Sequence, residues 1–169
     1  GKISPAMIAE ITPVMGGAPE ATGGAGLNVP AGPTALALSL YQRAQSDYES
    51  PAGTQDNSAV RDRGFSARWL VPAGSTRVWV GYQLDQVRDM GKPQADLPTT
   101  RTFYPIEDSS RLTLGLDTPD VLGFSSVELR AFGGGYRIVT NRQRRAAGST
   151  TQRNSLADVD AKDFSVRLL

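Results

Sequence analysis

The chain has 169 residues, a one-domain length. Its 18 Lys and Arg against 17 Asp and Glu leave a net charge of +1, without the basic excess of a nucleic-acid binder. It holds neither cysteine nor histidine, which excludes disulfides, thiolate nucleophiles, zinc ribbons, iron–sulfur clusters, the Ser-His-Asp triad and the HExxH zinc site.

No window approaches the roughly 18 apolar residues of a membrane helix. Eighteen glycines and eleven prolines punctuate the chain into short elements. Residues 1–60 carry Lys2 and Arg43 against Glu10, Glu20, Asp47, Glu49 and Asp56, a net of −3, which leaves +4 for the rest. The chain starts on glycine with no charged-then-apolar leader, and is read as an excised internal segment.

Residues 1–32 read as two short extended pieces around a flexible Gly-rich stretch from Gly16 to Gly26. From Thr34 the pattern changes to strict alternation, the mark of strands with two different faces. Leu36, Leu38 and Leu40 share one face. Phe65, Ala67, Trp69 and Val71 follow, then Val78, Val80, Tyr82 and Leu84. Leu112, Leu114 and Leu116 come next, then Val127, Leu129 and Ala131, and last Phe164, Val166 and Leu168. The second faces carry Arg68, Arg77, Asp85, Arg111, Asp117, Glu128, Arg130 and Arg167, as a wet lumen would. About six strands result. A parity break between Leu129 and Tyr136 predicts a bulge at Gly133-Gly134-Gly135.

Connection lengths alternate. Long links are expected over 45–62, 87–109 and 141–161, and short turns over 72–75 and 118–123. In an antiparallel meander this gathers long loops at one rim and short turns at the other, the asymmetry of outer-membrane barrels. Trp69, Trp79, Tyr82, Phe103, Tyr104 and Tyr136 are candidates for an interfacial aromatic girdle. The alternative is a soluble or surface β-sandwich that binds carbohydrate or protein, with the leucine faces packed on a second sheet.

Most local motifs fail on chemistry. The glycine segment lacks the Lys-Ser/Thr of a phosphate loop and has no following helix. Asp158-Val159-Asp160-Ala161-Lys162-Asp163 puts Lys and Asp where a calcium loop needs an oxygen ligand and glycine. No acid/base carboxylate pair can be placed, and no catalytic residue, metal ligand or cofactor is assigned. Arg142, Arg144 and Arg145, joined by Arg153, form a basic cluster suited to anionic ligands or lipid phosphates.

Met7-Ile8-Ala9-Glu10-Ile11-Thr12-Pro13-Val14, followed by Gly16, Gly17, Gly23, Gly24, Gly26 and Leu27-Asn28-Val29, resembles the end of the plug domain in TonB-dependent outer-membrane receptors. The alternating strands after it look like the opening of that family's barrel. The resemblance implies an all-β fold, with residues 1–32 as plug end and 33–169 as the first strands of a barrel of about 22. It implies a bacterial outer-membrane location, among lipid and lipopolysaccharide. It implies energy-coupled uptake of a scarce ligand such as a siderophore, a cobalamin or another metal chelate, with no bond made or broken. The TonB energy-coupling protein would engage a part upstream of residue 1. Ile11 and Pro13 belong to the plug segment. Arg101, Phe103 and Tyr104 in the second long loop, and Arg142, Arg144, Arg145 and Arg153 in the third, would contact ligand.

Overall fold

In the computed structural model, the described residues are 4–13, 19–31, 33–51, 53–93, 99–121 and 123–169, with side chains described from Ala21 onward apart from Ala31. The protein is an all-β antiparallel meander with no helix among them. Its strands are β1 (Ser4–Pro13), β2 (Pro19–Ala31), β3 (Thr34–Gln45), β4 (Tyr48–Ser50), β5 (Gly53–Gln55), β6 (Val60–Ala73), β7 (Thr76–Lys92), β8 (Thr100–Val121), β9 (Phe124–Arg145) and β10 (Gln152–Leu168). Eight of them form one sheet in the order β1-β2-β3-β6-β7-β8-β9-β10, and β4-β5 is a small separate hairpin. The sheet does not close on itself.

The six strands expected from alternation are β3, β6, β7, β8, β9 and β10. The N-terminal stretch forms the two extended pieces expected, but part of its glycine run lies within the second of them. β1 and β2 pair as a hairpin, and β2 pairs with β3 from Glu20 to Ala31, so residue 32 does not separate two sheets. Ile11 opposes Ala21 and Pro13 opposes Pro19. Gly23, Gly24 and Gly26 are ladder positions with no positive φ, rather than a flexible segment. Gly16 and Gly17 lie outside the described residues.

Register makes the two faces continuous. Leu38 opposes Leu27 and Ala67, Trp69 opposes Leu36 and Val80, Leu114 opposes Val80 and Ala131, and Val166 opposes Ala131. An apolar band therefore crosses the sheet from β2 to β10 on one face. It is about 20 Å long on β6, from Phe65 to Val71 at about 3.3 Å per residue. No layer of the described protein covers it. Leu40 is 56% exposed, Trp69 50% and Leu114 47%, and Val139 is the one buried hydrophobic among the described residues. Trp69 and Tyr82 lie on this face. Trp79 and Tyr136 occupy the other face.

The alternation of connection lengths holds, with shorter long links than expected. Gly74-Ser75 joins β6 to β7, with Gly74 at φ 64 where an L side chain is disfavoured. The opposite links span 46–59, 93–99 and 146–151. Much of 87–109 and 141–161 is strand, because the ladders run on past the apolar band. There the leucine-side positions turn charged: Arg88 pairs with Asp108, Arg137 Nη2 with Asp158 Oδ2 at 2.8 Å, and Arg63 Nε donates to Gln86 Oε1 at 2.9 Å.

The bulge expected at Gly133–Gly135 is absent, since those residues keep unbroken register with both neighbours. It sits in β8 instead, where Phe103 opposes Asn141 and Ile106 opposes Val139, one residue extra. Pro105 lies in that step, and a residue without an N–H suits an interrupted ladder. Asp89 beside it in β7 takes φ 51.

Trp79 lies across Gly115, its register partner, where a Cβ would fall inside the indole ring. Gly115→Ala should lower stability by about 1–3 kcal/mol by displacing the ring. Gly23→Ala, with open space at its Cβ, should stay within about 0.5 kcal/mol. Denaturant unfolding followed by tryptophan emission checks both; equal midpoints would mean the indole does not lie on Gly115.

Candidate functional site

The long-link rim holds a sizeable cavity. Its local structure starts from the β3–β6 link, which reverses through Asp56 and Asn57. Asn57 takes the left-handed conformation at φ 62, which asparagine tolerates better than most residues. Its buried amide ties the link to two strands. Nδ2 donates to the Lys92 carbonyl at 2.9 Å and to the Thr102 carbonyl at 2.6 Å, and Oδ1 accepts from Arg101 Nε at 3.0 Å. Gly91 is needed for this contact, since a Cβ there would collide with the Asn57 backbone. Asp47 holds the other side of the reversal. Its Oδ1 accepts from the Ser58 N–H at 2.6 Å and the Ala59 N–H at 2.8 Å. Burial opposes ionisation of Asp47, but the N–H groups of Ser58, Ala59 and Asn57 and the Ser58 hydroxyl outweigh it, so its carboxyl stays below the usual range.

Between this link and the ends of β8 and β9 lies a cleft of about 640 Å³. Arg101, Arg144 and Arg145 line it together with Asp47, Asp56, Asn57 and Gln143. Three guanidinium groups outnumber two carboxylates there. Their donor forks suit a carboxylate- or phosphate-bearing ligand. The expected ligand-contact residues stand on strand ends rather than in loops: Arg101, Phe103 and Tyr104 on β8, Arg142, Arg144 and Arg145 on β9, and Arg153 on β10. The cleft unites only Arg101, Arg144 and Arg145. Phe103 carries the Arg101 guanidinium 5.9 Å from its ring centre. Tyr104 is at the bulge. Arg142 lies outside the lining, with its Nε enclosed and unpartnered among the described residues. Arg153 opposes Arg144 across the β9–β10 ladder, exposed and away from the lining. Asp47, Asp56, Asn57 and Gln143 were not singled out from sequence. The Asp56-Asn57 dipeptide is a turn signal, but nothing in it names the distant carbonyls that Asn57 reaches. No group of three or more His, Cys, Asp or Glu placed to hold a metal occurs among the described residues.

The polar face of the sheet is a second feature. Near the short turns, Arg77 Nη2 meets Asp117 Oδ2 at 2.5 Å and Arg130 pairs with Glu128. Arg68 and Arg130 sit over the Trp79 ring at 4.5 and 5.0 Å from its centre, and Arg111 over Phe132 at 5.0 Å. Further along, the Tyr41 hydroxyl donates to Asp85 at 3.0 Å and the Tyr136 hydroxyl to Glu107 at 3.0 Å. Arg43 Nη2 pairs with Asp62 at 2.7 Å.

The Asp47 geometry sets a pH dependence. Its folded pKa is depressed, so its contribution is complete above the unfolded value of about 3.9 and is lost as pH falls through the lower folded value. Protection of the Ser58 and Ala59 amides against hydrogen exchange should drop across that acid window. Asp47→Asn should drop it already at neutral pH. Protection factors unchanged by either would contradict the role given to Asp47.

Against known proteins, no family model, no curated protein and no solved structure matches this chain.

Proposed function

We infer that the chain is part of a TonB-dependent receptor in a bacterial outer membrane, contributing barrel wall to energy-coupled uptake of a scarce anionic or metal-chelate ligand. The observation that carries this reading is the uncovered apolar band that crosses the sheet in register, with an ion-paired polar face behind it. Its length of about 20 Å along β6 is close to the roughly 25 Å apolar belt of outer-membrane barrels. The strands then continue beyond the band with charge on both sides, as staves do where they rise out of the lipid. Two-residue turns at one rim and longer links at the other agree with periplasmic and extracellular ends.

On this reading the leucine face meets acyl chains and lipopolysaccharide, and the polar face lines the water-filled or plug-filled interior. The rim cleft takes the ligand. Arg101, Arg144 and Arg145 offer paired N–H donors to its oxygen atoms, and Asn57 and Asp47 hold the link that forms one wall. Binding and release are the whole of the chemistry. The open edges of β1 and β10 require further strands beside them, because lipid cannot hydrogen-bond an exposed ladder.

Leu114→Arg places a charge in the band and should cost roughly 2–4 kcal/mol near the bilayer midplane. It should abolish appearance of the parent protein in the outer-membrane fraction, whereas Thr113→Arg, one residue along on the polar face, should assemble normally. An antibody to this chain, used on fractionated source cells, reads both. Normal assembly of Leu114→Arg, or a wild-type band in the soluble fraction only, would remove the membrane reading in favour of a β-domain with a covering partner.

A further inference from the structure

Where the apolar band of the leucine face ends, a groove of about 280 Å³ lies across β3, β6 and β7. Two neighbouring register rows line it. Leu40, Phe65 and Leu84 form an apolar row, and Gln42, Arg63 and Gln86 form a polar row beyond it, on the side of the long-link rim. Phe65 and Arg63 are two residues apart on β6, about 7 Å along the strand. One side of the groove is therefore oily and the other donates hydrogen bonds.

Charge beyond this boundary is one-sided. Arg61 and Arg63 share the face of Phe65, are exposed, and have no carboxylate in ion-pair contact among the described residues. Arg63 gives its Nε–H to Gln86, which leaves its terminal N–H groups for another acceptor. Arg61 stands directly opposite Arg88 across the β6–β7 ladder, a like-charge pairing that is unfavourable by itself. Arg88 turns to Asp108 on β8, so the charge of Arg61 stays uncompensated. By register, no leucine-side position of β3, β6 or β7 is Asp or Glu, and Asp108 is the first carboxylate met on that face.

We propose that this groove holds one phosphate-bearing lipid, with an acyl chain over Leu40, Phe65 and Leu84 and a headgroup phosphate accepting from the guanidinium groups of Arg63 and Arg61. Continuity and charge select this occupant. The apolar row is the last of the band that meets acyl chains, and the two arginines stand where headgroups begin, with stems that lie along apolar surface and heads that reach anionic lipid. A free phosphate ion would use the arginines and leave the apolar row bare. The proposal rests on the membrane reading of the leucine face and adds to it one fixed lipid at a named place.

The experiment puts a photoreactive benzophenone side chain at position 42, 114 or 113 of the whole parent protein, in source cells grown on radiolabelled phosphate. After irradiation the protein is recovered with an antibody to this chain. Label should attach at 42 and 114, both on the leucine face, and not at 113 on the polar face. Arg61→Gln with Arg63→Gln should cut the label at 42 about tenfold, the scale of lost charge-assisted hydrogen bonds, and leave that at 114 within about twofold. Arg68→Gln with Arg111→Gln removes the same charge from the polar face and should leave both unchanged. Should the first pair prevent assembly, which loss of label at 114 reports, Arg63→Gln alone should still lower the label at 42 relative to 114. Label at 114 without label at 42, label at 42 indifferent to the Arg61 and Arg63 changes, or an equal loss from the polar-face pair would overturn the proposal and leave the membrane reading standing. No label at either leucine-face position, with protein adducts there instead, would remove both.

Discussion

A sheet one layer thick has no interior, and every other feature of this protein answers to that constraint. Hydrophobic stabilisation needs apolar surface removed from water. Here the leucines, valines and aromatics of seven strands line up in register and meet nothing of the described protein. An exposed patch of that extent on a soluble monomer would be far beyond the few hundred Å² such proteins show. The band therefore needs an apolar partner, lipid or a further protein layer, which is why its extent and its flanking charges carry more weight here than any single motif.

The polar face solves a different problem. It has to hold a ladder together without a core, and it does so with direct cross-strand partners. Arg43 and Asp62 are register partners, as are Arg77 and Asp117, while Tyr41 reaches over Gly64 to Asp85. Large rings lie over glycines, so that an absent side chain on one strand becomes the seat of a neighbour's. Trp79 on Gly115 is the central case. The rim cleft uses the same economy of parts, since one asparagine in a left-handed turn ties the β3–β6 link to the tips of β7 and β8 at once.

Much of the fold was legible in the sequence because period-two alternation is a direct imprint of the pleat. Leu112, Leu114 and Leu116 announce a two-faced strand without help, and each of the six alternating runs is a strand of the large sheet. Three things were not legible. Glycines 23, 24 and 26 read as a flexible segment, yet they are ladder positions, because pairing on both sides overrides weak local propensity. The switch in apolar parity along β9 read as a bulge, yet β9 is regular there and simply leaves its apolar band. The real bulge sits at Tyr104-Pro105, marked by a proline whose meaning depends on its neighbours. Of the candidate site, the basic residues were visible as a run, but only pairing across strands shows that Arg101 joins Arg144 and Arg145 while Arg142 and Arg153 point to other surroundings.

The central claim, that the leucine face meets lipid, is tested most directly by a nitroxide scan of β8. The chain has no cysteine, so each introduced thiol is the single labelling site within it. Labels at positions 112, 114 and 116, and at 109, 113 and 117, would be read in reconstituted vesicles for relaxation by oxygen and by a water-soluble nickel chelate. The account predicts strong oxygen contact at 112, 114 and 116 and chelate contact at 109, 113 and 117. Even-numbered labels shielded from both reagents would place a second protein layer over the leucines and contradict it.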